Sequence, residues 1–328
     1  LLNYIQNNPT DWRTPRKNGL QVIWVTPLRA LAQDLQKAMQ EACIGLGLPW
    51  TVSVRNGDTD AKTRASFKRN PPECLITTPE TLHILLSQKE TEPLFENLRC
   101  VVVDEWHELV GNKRGVQVQL ALAYLQTKCR HSFMRWAISA TLGNLEQAAK
   151  TLLGNELPLH IIKAKVQKEI RITSLFPAEI EKYPWTGHLG IRMIDQVIQT
   201  IEEGKSVLVF TNTRSQTEMW YQKILEVRPD WAGWMAMHHG SLDSQIRSWV
   251  ENALHEGILK VVVCTSSLDL GVDFRPVDRV IQIGSPKGVS RFVQRAGRAG
   301  HQPGLPSVVF FVPTNALELI EAAALRHA

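Results

Sequence analysis

Uninterrupted apolar runs recur along this chain, and between them lie stretches in which apolar residues return with helical spacing. Leu20 to Thr26, Cys74 to Thr77, Arg99 to Asp104 and Arg135 to Ser139 are built around such runs and, with Thr51 to Arg55, predict strands, the one ending at Ser139 being read as buried. Leu28 to Leu46, Pro79 to Ser87 and Val116 to Leu125 carry the second pattern and predict helices. Val101-Val102-Val103 shows no alternation with polar residues, as expected of a strand covered on both faces in a parallel sheet. Strands that alternate with helices need crossover connections, so the pattern implies an α/β fold.

The rhythm breaks between about Glu156 and Trp185, where Pro158, Pro177 and Pro184 punctuate an extended stretch. It resumes with a helix predicted from His188 to Glu202. Strands follow at Ser206 to Phe210, Gly233 to Met237, Leu259 to Cys264, Arg279 to Ile283 and Ser307 to Val312. The expected organisation is a first α/β domain over 1–155, an extended connection over 156–187 and a second α/β domain over 188–328. The halves are alike in kind, which suggests a duplicated lobe.

Composition changes this picture little. A length of 328 residues suits two domains, and 44% hydrophobic with 21% charged residues is ordinary for a soluble globular protein. The net charge of +5 favours a polyanionic partner only weakly. Cys43, Cys74, Cys100, Cys129 and Cys264 show no paired spacing, which speaks against zinc or a disulfide framework. Cys100 and Cys264 border apolar runs and are expected to be reduced core residues. No apolar run is long enough for a membrane span and no leader pattern is present, so the reading is cytoplasmic, with no membrane partner. Leu1 to Ile5 look like the tail of a helix, and no Gly-x-x-x-x-Gly-Lys-Ser/Thr loop occurs. The expectation is a segment cut after that element, with no appreciable ATPase activity on its own.

Two motifs concentrate the chemistry. Asp104-Glu105-Trp106-His107 closes a buried strand, at the end where open α/β sheets gather ligands. Gln294 to His301 is a glycine-punctuated pair of arginines, Arg295 and Arg298, expected within a helix that puts Arg298 and His301, three positions apart, on roughly one face. Carboxylates that organise Mg²⁺ and water, with arginines that reach a γ-phosphate, are what triphosphate hydrolysis requires. Thr26-Pro27-Leu28-Arg29 and Thr77-Thr78-Pro79-Glu80 each place hydroxyls and a proline between strand and helix, where exposed N–H groups suit a phosphate. Phe210 to Arg214 repeats the arrangement. His238-His239-Gly240 follows a strand, and its two side chains should point opposite ways, which disfavours a metal. Thr265 to Asp273 joins a hydroxyl cluster to a glycine and an acid. Read singly, each has a plain structural alternative as an acidic turn or a helix cap.

In this order the pieces resemble the superfamily 2 helicases. Asp104 to His107 is similar to the DExH box (motif II), Thr26 to Leu31 to motif Ia and Thr78 to Leu82 to motif Ib. Ser139-Ala140-Thr141 resembles motif III, Phe210 to Arg214 motif IV, Thr265 to Asp273 motif V, and Gln294 to His301 motif VI, with His301 where many members carry a second arginine. Asp104 to Leu109, Lys113 to Gln117, Ser139 to Leu145, Phe210 to Gln216 and Cys264 to Phe274 look like the Lhr (large helicase-related) family, in particular its bacterial, ligase-associated branch linked to DNA damage.

The resemblance implies two RecA-like domains, each a mainly parallel sheet flanked by helices, and an ATP- and Mg²⁺-dependent translocase moving 3′ to 5′ on single-stranded DNA in repair. It implies Asp104, Glu105 and Arg298 as catalytic residues, the two carboxylates holding Mg²⁺ largely through water. Nucleotide contacts would also come from His107, Ser139, Thr141, Gly271, Asp273, Gln294 and His301, with His107 linking motif II to the second lobe. Nucleic-acid contacts would come from Thr26, Pro27, Arg29, Thr78, Pro79, Glu80, Thr211, Asn212, Arg214, His239, Gly240, Thr265 and Ser266. The implied partners are single-stranded or 3′-tailed DNA, an RNA–DNA hybrid, and repair proteins such as a ligase or nuclease. Two other readings stay open: an ATP-independent nucleic-acid binding or annealing module, and a helicase that remodels RNA or RNA–DNA hybrids.

Overall fold

The computed structural model describes residues 19–57, 59, 61–140, 142–154, 159–163, 169–176, 190–269, 277–300 and 306–325. The chain divides into two units, Leu1–Ile162 and Lys163–Ala328.

In the first unit β1 (Val22–Val25), β2 (Val52–Arg55), β3 (Cys74–Thr77), β4 (Cys100–Val103) and β5 (Met134–Ala137) form one sheet in the order β2-β3-β1-β4-β5. Every neighbouring pair is parallel, and Val22 lies opposite both Cys74 and Cys100. The carboxyl ends therefore share one edge, along which Arg55, Thr77, Thr26, Asp104 and Ile138 follow one another. Helices α1 (Arg29–Gly45), α2 (Ala61–Arg69), α3 (Pro79–Leu86), α4 (Trp106–Leu109), α5 (Lys113–Lys128) and α6 (Leu145–Leu153) complete the unit. The core gathers Ile23, Leu75, Leu85, Val101, Val103, Trp106 and Leu125, each at most 1% exposed. Burying one such side chain is worth about 1.5–3 kcal/mol.

Local sequence sets the helix starts. Thr78 caps α3, accepting from the Thr81 N–H, and Pro79 opens its first turn. Asn112 caps α5 by accepting from the N–H groups of Arg114 and Gly115. Asn144 does the same for α6 through Gln147.

In the second unit β6 (Ile170–Ser174), β7 (Val207–Phe210), β8 (Met235–His238), β9 (Val261–Cys264), β10 (Arg279–Ile283) and β11 (Ser307–Val312) form a parallel sheet in the order β6-β11-β10-β7-β9-β8. Around it lie α7 (Ile194–Glu202), α8 (Arg214–Val227), α9 (Ser244–Glu256), α10 (Val289–Gly297) and α11 (Ala316–Leu325). β7 and β9 are buried along their whole length, as their unbroken apolar sequences require.

Three expectations need correction. The stretch 156–187 is not wholly a connection, because Ile170–Ser174 pairs with β11 as an edge strand of the second sheet. Its alternating sequence, half-buried at Ile170, Ile172 and Ser174, is that of a strand with one covered face. β5 was expected to be buried, yet it ends the described sheet with Met134 46% and Trp136 56% exposed. An apolar run shows that a strand prefers cover, not that a neighbour covers both faces. Helix α2 escaped the periodicity because, among its described side chains, only Phe67 is buried. Leu1 to Ile5, His188 and most of the proline-rich stretch lie outside the described residues.

Gly115, in the first turn of α5, faces the end of α4 so closely that a Cβ would lie 2.3 Å from the Leu109 carbonyl oxygen. Gly115→Ala should destabilise the first unit by about 1–3 kcal/mol. Gly143→Ala, with nothing within 4 Å of its Cβ position, should stay within about 0.5 kcal/mol. Urea unfolding midpoints of the two variants check this, and equal losses would contradict the close approach.

Candidate functional site

β4 carries Asp104 to the carboxyl edge of the first sheet, where the Asp104 N–H still bonds to the Val25 carbonyl. The carboxylate is 7% exposed. It accepts from the Glu105 N–H at 2.9 Å and from the Trp24 indole at 3.3 Å. Burial pushes the Asp104 carboxyl above its ordinary range, against the opposing pull of the Trp24 and Glu105 donors. Glu105 has φ +47° and ψ +46°, the left-handed region, which is uncommon for a residue with a Cβ. That strain is held on both sides: Asp104 grips its N–H, and the Trp106 N–H bonds to the Ile138 carbonyl. Trp106 itself is 1% exposed, with its indole N–H on the Ala148 carbonyl at 2.8 Å.

The His107 Nδ1 accepts from the Ala140 N–H at 3.1 Å and lies 3.3 Å from Ser139 Oγ and 3.4 Å from Glu105 Oε2. Because Nδ1 is an acceptor, the proton of the neutral ring sits on Nε2, which faces Glu108 Oε1 at 3.9 Å. Asp104, Glu105, His107 and Ser139 are thus gathered at one place. Asp104 and Glu105 offer hard oxygen donors, and no group of three or more metal ligands exists among the described residues. Such a site suits Mg²⁺ held by one or two carboxylates together with water and phosphate. Thr141, Gly271, Asp273 and His301 lie outside the described residues.

The hydroxyls expected to grip nucleic acid face inward more than expected. Thr26 is fully buried, and its N–H bonds to the Thr77 carbonyl. Thr78 is 4% exposed and serves as the α3 cap. Glu80 beside it is exposed and ion-paired to Arg114 at 2.6 Å. Pro27 is buried, with its carbonyl bound by Arg114 at 2.8 Å. The side chain of Arg29 is not among those described. Arg114 joins two expected contact turns, and sequence reasoning gave it no role. Its place in a Lys-Arg-Gly turn after the acidic motif was the available signal.

In the second unit Thr211 is also fully buried, and its Oγ1 pairs with Thr217 Oγ1 at 2.7 Å. Beyond it Asn212 is half-buried and Arg214 is exposed, 3.7 Å from Glu218. Glu218 also lies 3.6 Å from the buried His239 Nε2, so motif IV and the His239-Gly240 turn meet. His238 points elsewhere, as expected: Nδ1 meets Ser267 Oγ at 2.7 Å and Nε2 meets Glu251 at 3.0 Å. The Thr265 N–H bonds to the His238 carbonyl, which places the motif V turn beside this pair. Ser266 and Gly240 are exposed.

Motif VI divides its arginines. Arg295, 2% exposed, makes a forked contact with the Asp269 carboxylate at 2.7 and 3.2 Å, donates to Gln282 at 2.7 Å and stacks on Phe210. Arg298 is only half-buried and donates to the Asp269 carbonyl at 2.9 and 3.2 Å. Gln294 lies on α10 one position before Arg295. Arg298 and His301 were expected to share a helix face, but α10 ends at Gly297. The Arg298 N–H closes a tight turn on Arg295, and Val277 takes the chain over at Ala299. Arg295 was read with Arg298 as reaching a phosphate, but it is buried on Asp269, a residue that was not among the expected site residues.

Comparison with known proteins follows the same division. The family described as DEAD/DEAH box helicase matches residues 1–148, and helicase conserved C-terminal domain matches residues 190–302. An ATP-dependent helicase Lhr-Core of Methanocaldococcus jannaschii is 36% identical over 95% of this chain and 38% of its own length. A Lhr helicase/uracil glycosylase of Escherichia coli is 29% identical over 94% of this chain and 24% of its own. The solved structure of Mycobacterium smegmatis helicase Lhr bound to ssDNA and AMP-PNP is similar with a TM-score of 0.80 and 31% identity, covering 99% of this chain and 44% of that one. The chain thus spans well under half the length of the relatives it matches, and its two sheets are RecA-like.

Two outcomes follow from this geometry. Arg295→Ala leaves the Asp269 carboxylate without its forked partner and should cost about 3–5 kcal/mol in the second unit, whereas Arg298→Ala should cost under about 1 kcal/mol. Guanidinium unfolding of both variants checks it, and similar losses would contradict the division. Burial lowers His239 below its ordinary 6.5, outweighing the nearby Glu218. The unfolded chain then takes up the proton first, so this contribution is present above 6.5 and lost as pH falls through the lower folded value. His239→Gln should flatten the decline of Tm with falling pH below 6.5, and an unchanged decline would remove His239 from it.

Proposed function

This chain belongs to the superfamily 2 helicases as a core of the Lhr type, and on that premise we propose that it is the motor of an ATP-dependent, 3′ to 5′ DNA translocase in DNA repair. The observation that carries this reading is the acidic pair Asp104-Glu105, held at the carboxyl edge of a parallel sheet beside His107 and Ser139. Its support is the match of both halves to helicase families and the likeness to a solved Lhr bound to single-stranded DNA and a nucleotide analogue.

In this reading Asp104, with Glu105 beside it, would hold Mg²⁺ largely through water, and the ion would supply charge neutralisation to the triphosphate. Glu105 orients the attacking water and draws its proton. Arg298 stabilises charge on the phosphoryl group in flight, an effect worth about 10³–10⁵ in rate in related chemistry. Its guanidinium is anchored on the Asp269 backbone carbonyl. Arg295 is committed to Asp269 and holds motif V against motif VI. Ser139 and Thr141 supply further nucleotide contacts from the first unit, and Gln294, Gly271, Asp273 and His301 from the second.

Nucleic acid is gripped through its backbone by Asn212, Arg214, Gly240, Thr265 and Ser266 in the second unit and by the turns at Pro27 and Thr78-Pro79 in the first. Such contacts tolerate any sequence and weaken steeply with salt. The buried Thr26, Thr211 and His239 shape those turns. The ligase-associated branch, the cytoplasmic setting and a ligase or nuclease partner belong to the same proposal.

Strand displacement on 3′-tailed against 5′-tailed duplexes tests the direction, with a 3′-tailed preference expected and the reverse preference fatal to it. Matched RNA strands decide whether DNA is the track. In a protein that also carries the phosphate loop, Glu105→Gln should lower ATP turnover by at least about 10²-fold without changing affinity for single-stranded DNA. Arg214→Ala should reduce the slope of log K against log[salt] by about 0.7, the share of one phosphate on a single strand. An unchanged slope removes Arg214 from the DNA path.

A further inference from the structure

Arg114 takes no part in the nucleotide chemistry or in the strand contacts proposed above. It stands in the first turn of α5, where the Asn112 side chain accepts from its N–H at 2.9 Å. Its guanidinium divides between two elements. Nε donates to Glu80 Oε1 at 2.6 Å, while Nη2 donates to Glu80 Oε2 at 3.2 Å and to the Pro27 carbonyl at 2.8 Å. Pro27 belongs to the turn after β1, and Glu80 to the first turn of α3 after β3. These strands are neighbours in the sheet. One planar cation therefore ties together the two turns of the first unit that face a phosphate backbone. A flexible ammonium could not make this fork.

The tie has a firm base. Gly115, the next residue, packs against the Leu109 carbonyl at the end of α4. α4 starts directly after Asp104-Glu105 and is pinned by Trp106. A continuous series of contacts thus runs from the acidic pair through α4 and α5 to Pro27 and Glu80. Burial of Glu80, the largest single influence, would raise its carboxyl, but the hydrogen bonds and charge of Arg114, with the Glu80 backbone and the Thr78 hydroxyl, together hold the group below its ordinary range.

We propose that Arg114 and Glu80 are positioning residues for nucleic-acid binding: the pair fixes the spacing of the Pro27 and Thr78-Pro79 turns to successive phosphates of one strand. This rests on reading those turns as backbone contacts. The sign of the Glu80 effect makes the proposal distinctive. A carboxylate beside the path of a polyanion opposes binding by simple electrostatics, so its removal should tighten the complex. If Glu80 works by holding Arg114, its removal should weaken the complex instead.

The test is fluorescence anisotropy of a labelled single-stranded DNA oligonucleotide titrated with the protein over a salt series. The variants are Glu80→Ala, Arg114→Ala, Arg114→Lys and the double variant Glu80→Ala/Arg114→Ala, which has the same net charge as the parent. Expected are about tenfold weaker binding in Glu80→Ala, Arg114→Ala and the double variant, about 1.4 kcal/mol. The double variant should be no weaker than Arg114→Ala alone, as for two residues acting through one contact. Salt slopes should match the parent in all three, and Arg114→Lys should recover only part of the loss. Tighter binding by Glu80→Ala, or parental affinity in the charge-neutral double variant, would overturn the proposal in favour of plain electrostatics. A salt slope smaller by about 0.7 in Arg114→Ala would overturn it in favour of a direct phosphate contact. Hydrogen exchange with the same oligonucleotide separates the proposal from the reading beneath it. Absence of protection in the Leu28 and Thr81–Leu82 amides of the parent refutes the contact turns themselves. Protection there, with parental affinity in the variants, refutes only the positioning role.

Discussion

Parallel pairing of strands buried on both faces is the constraint from which the rest follows. A strand such as Val101 to Val103 can be wholly apolar only if helices cover it above and below, and covering helices require crossovers. Crossovers return every strand in the same direction, so all the carboxyl ends emerge on one edge. Inside the ladder a polar side chain is tolerated only when it is fully bonded, as Gln282 is in β10, and the others appear where strands stop: Arg55, Thr77, Thr26 and Asp104 in the first unit, Thr211 and Thr265 in the second. Chemistry gathers at that edge because the sheet has no other place for it.

Much of the polar capacity at those edges goes into holding the edge itself. Thr211 and Thr217 bond to each other, Thr78 caps α3, and the Asp104 carboxylate accepts from its own neighbour and from Trp24. Arg295 and Asp269 lie buried together, and a buried ion pair is stable only when its remaining donors are also satisfied. Gln282, itself fully buried, takes the remaining donor of Arg295 and spends its amide on Ile283 and Gly284. Exposed positions such as Ser266 and Arg214 lie just beyond. A motif read from sequence mixes these two populations.

That mixing sets how much was legible. The strand-to-acid junction at Asp104, the position of most strands and the opposite orientations of His238 and His239 could be read from apolar runs and backbone alternation. Strand order could not, since nothing local states that β1 lies between β3 and β4. β6 was hidden among prolines, and α2 carries almost no apolar face to betray it. The expected helix through His301 failed because glycine and arginine at Gly297-Arg298 leave continuation and turn nearly equal, and the pairing of Ala299 with Val277 decided for the turn. Arg114 was missed for a different reason. Its partners Pro27 and Glu80 are remote in sequence and meet only when β1 and β3 pair.

Glu105 shows how a strained residue becomes informative once its supports are known. A left-handed glutamate costs roughly 1–3 kcal/mol, which the surroundings must supply. Here the Asp104 carboxylate holds the N–H of the strained residue, while the buried indole of Trp106 pins the helix that follows. The conformation ends strand β4 in one step and starts α4 immediately, so that His107 swings back toward Ser139 and Ala140 instead of continuing outward. Without that reversal the two carboxylates would occupy an ordinary extended turn, and His107 would have no route to the motif III turn. The spacing of Asp104, Glu105 and His107 in the first unit is therefore built on a backbone strain that Trp106 is large enough, and deep enough, to sustain.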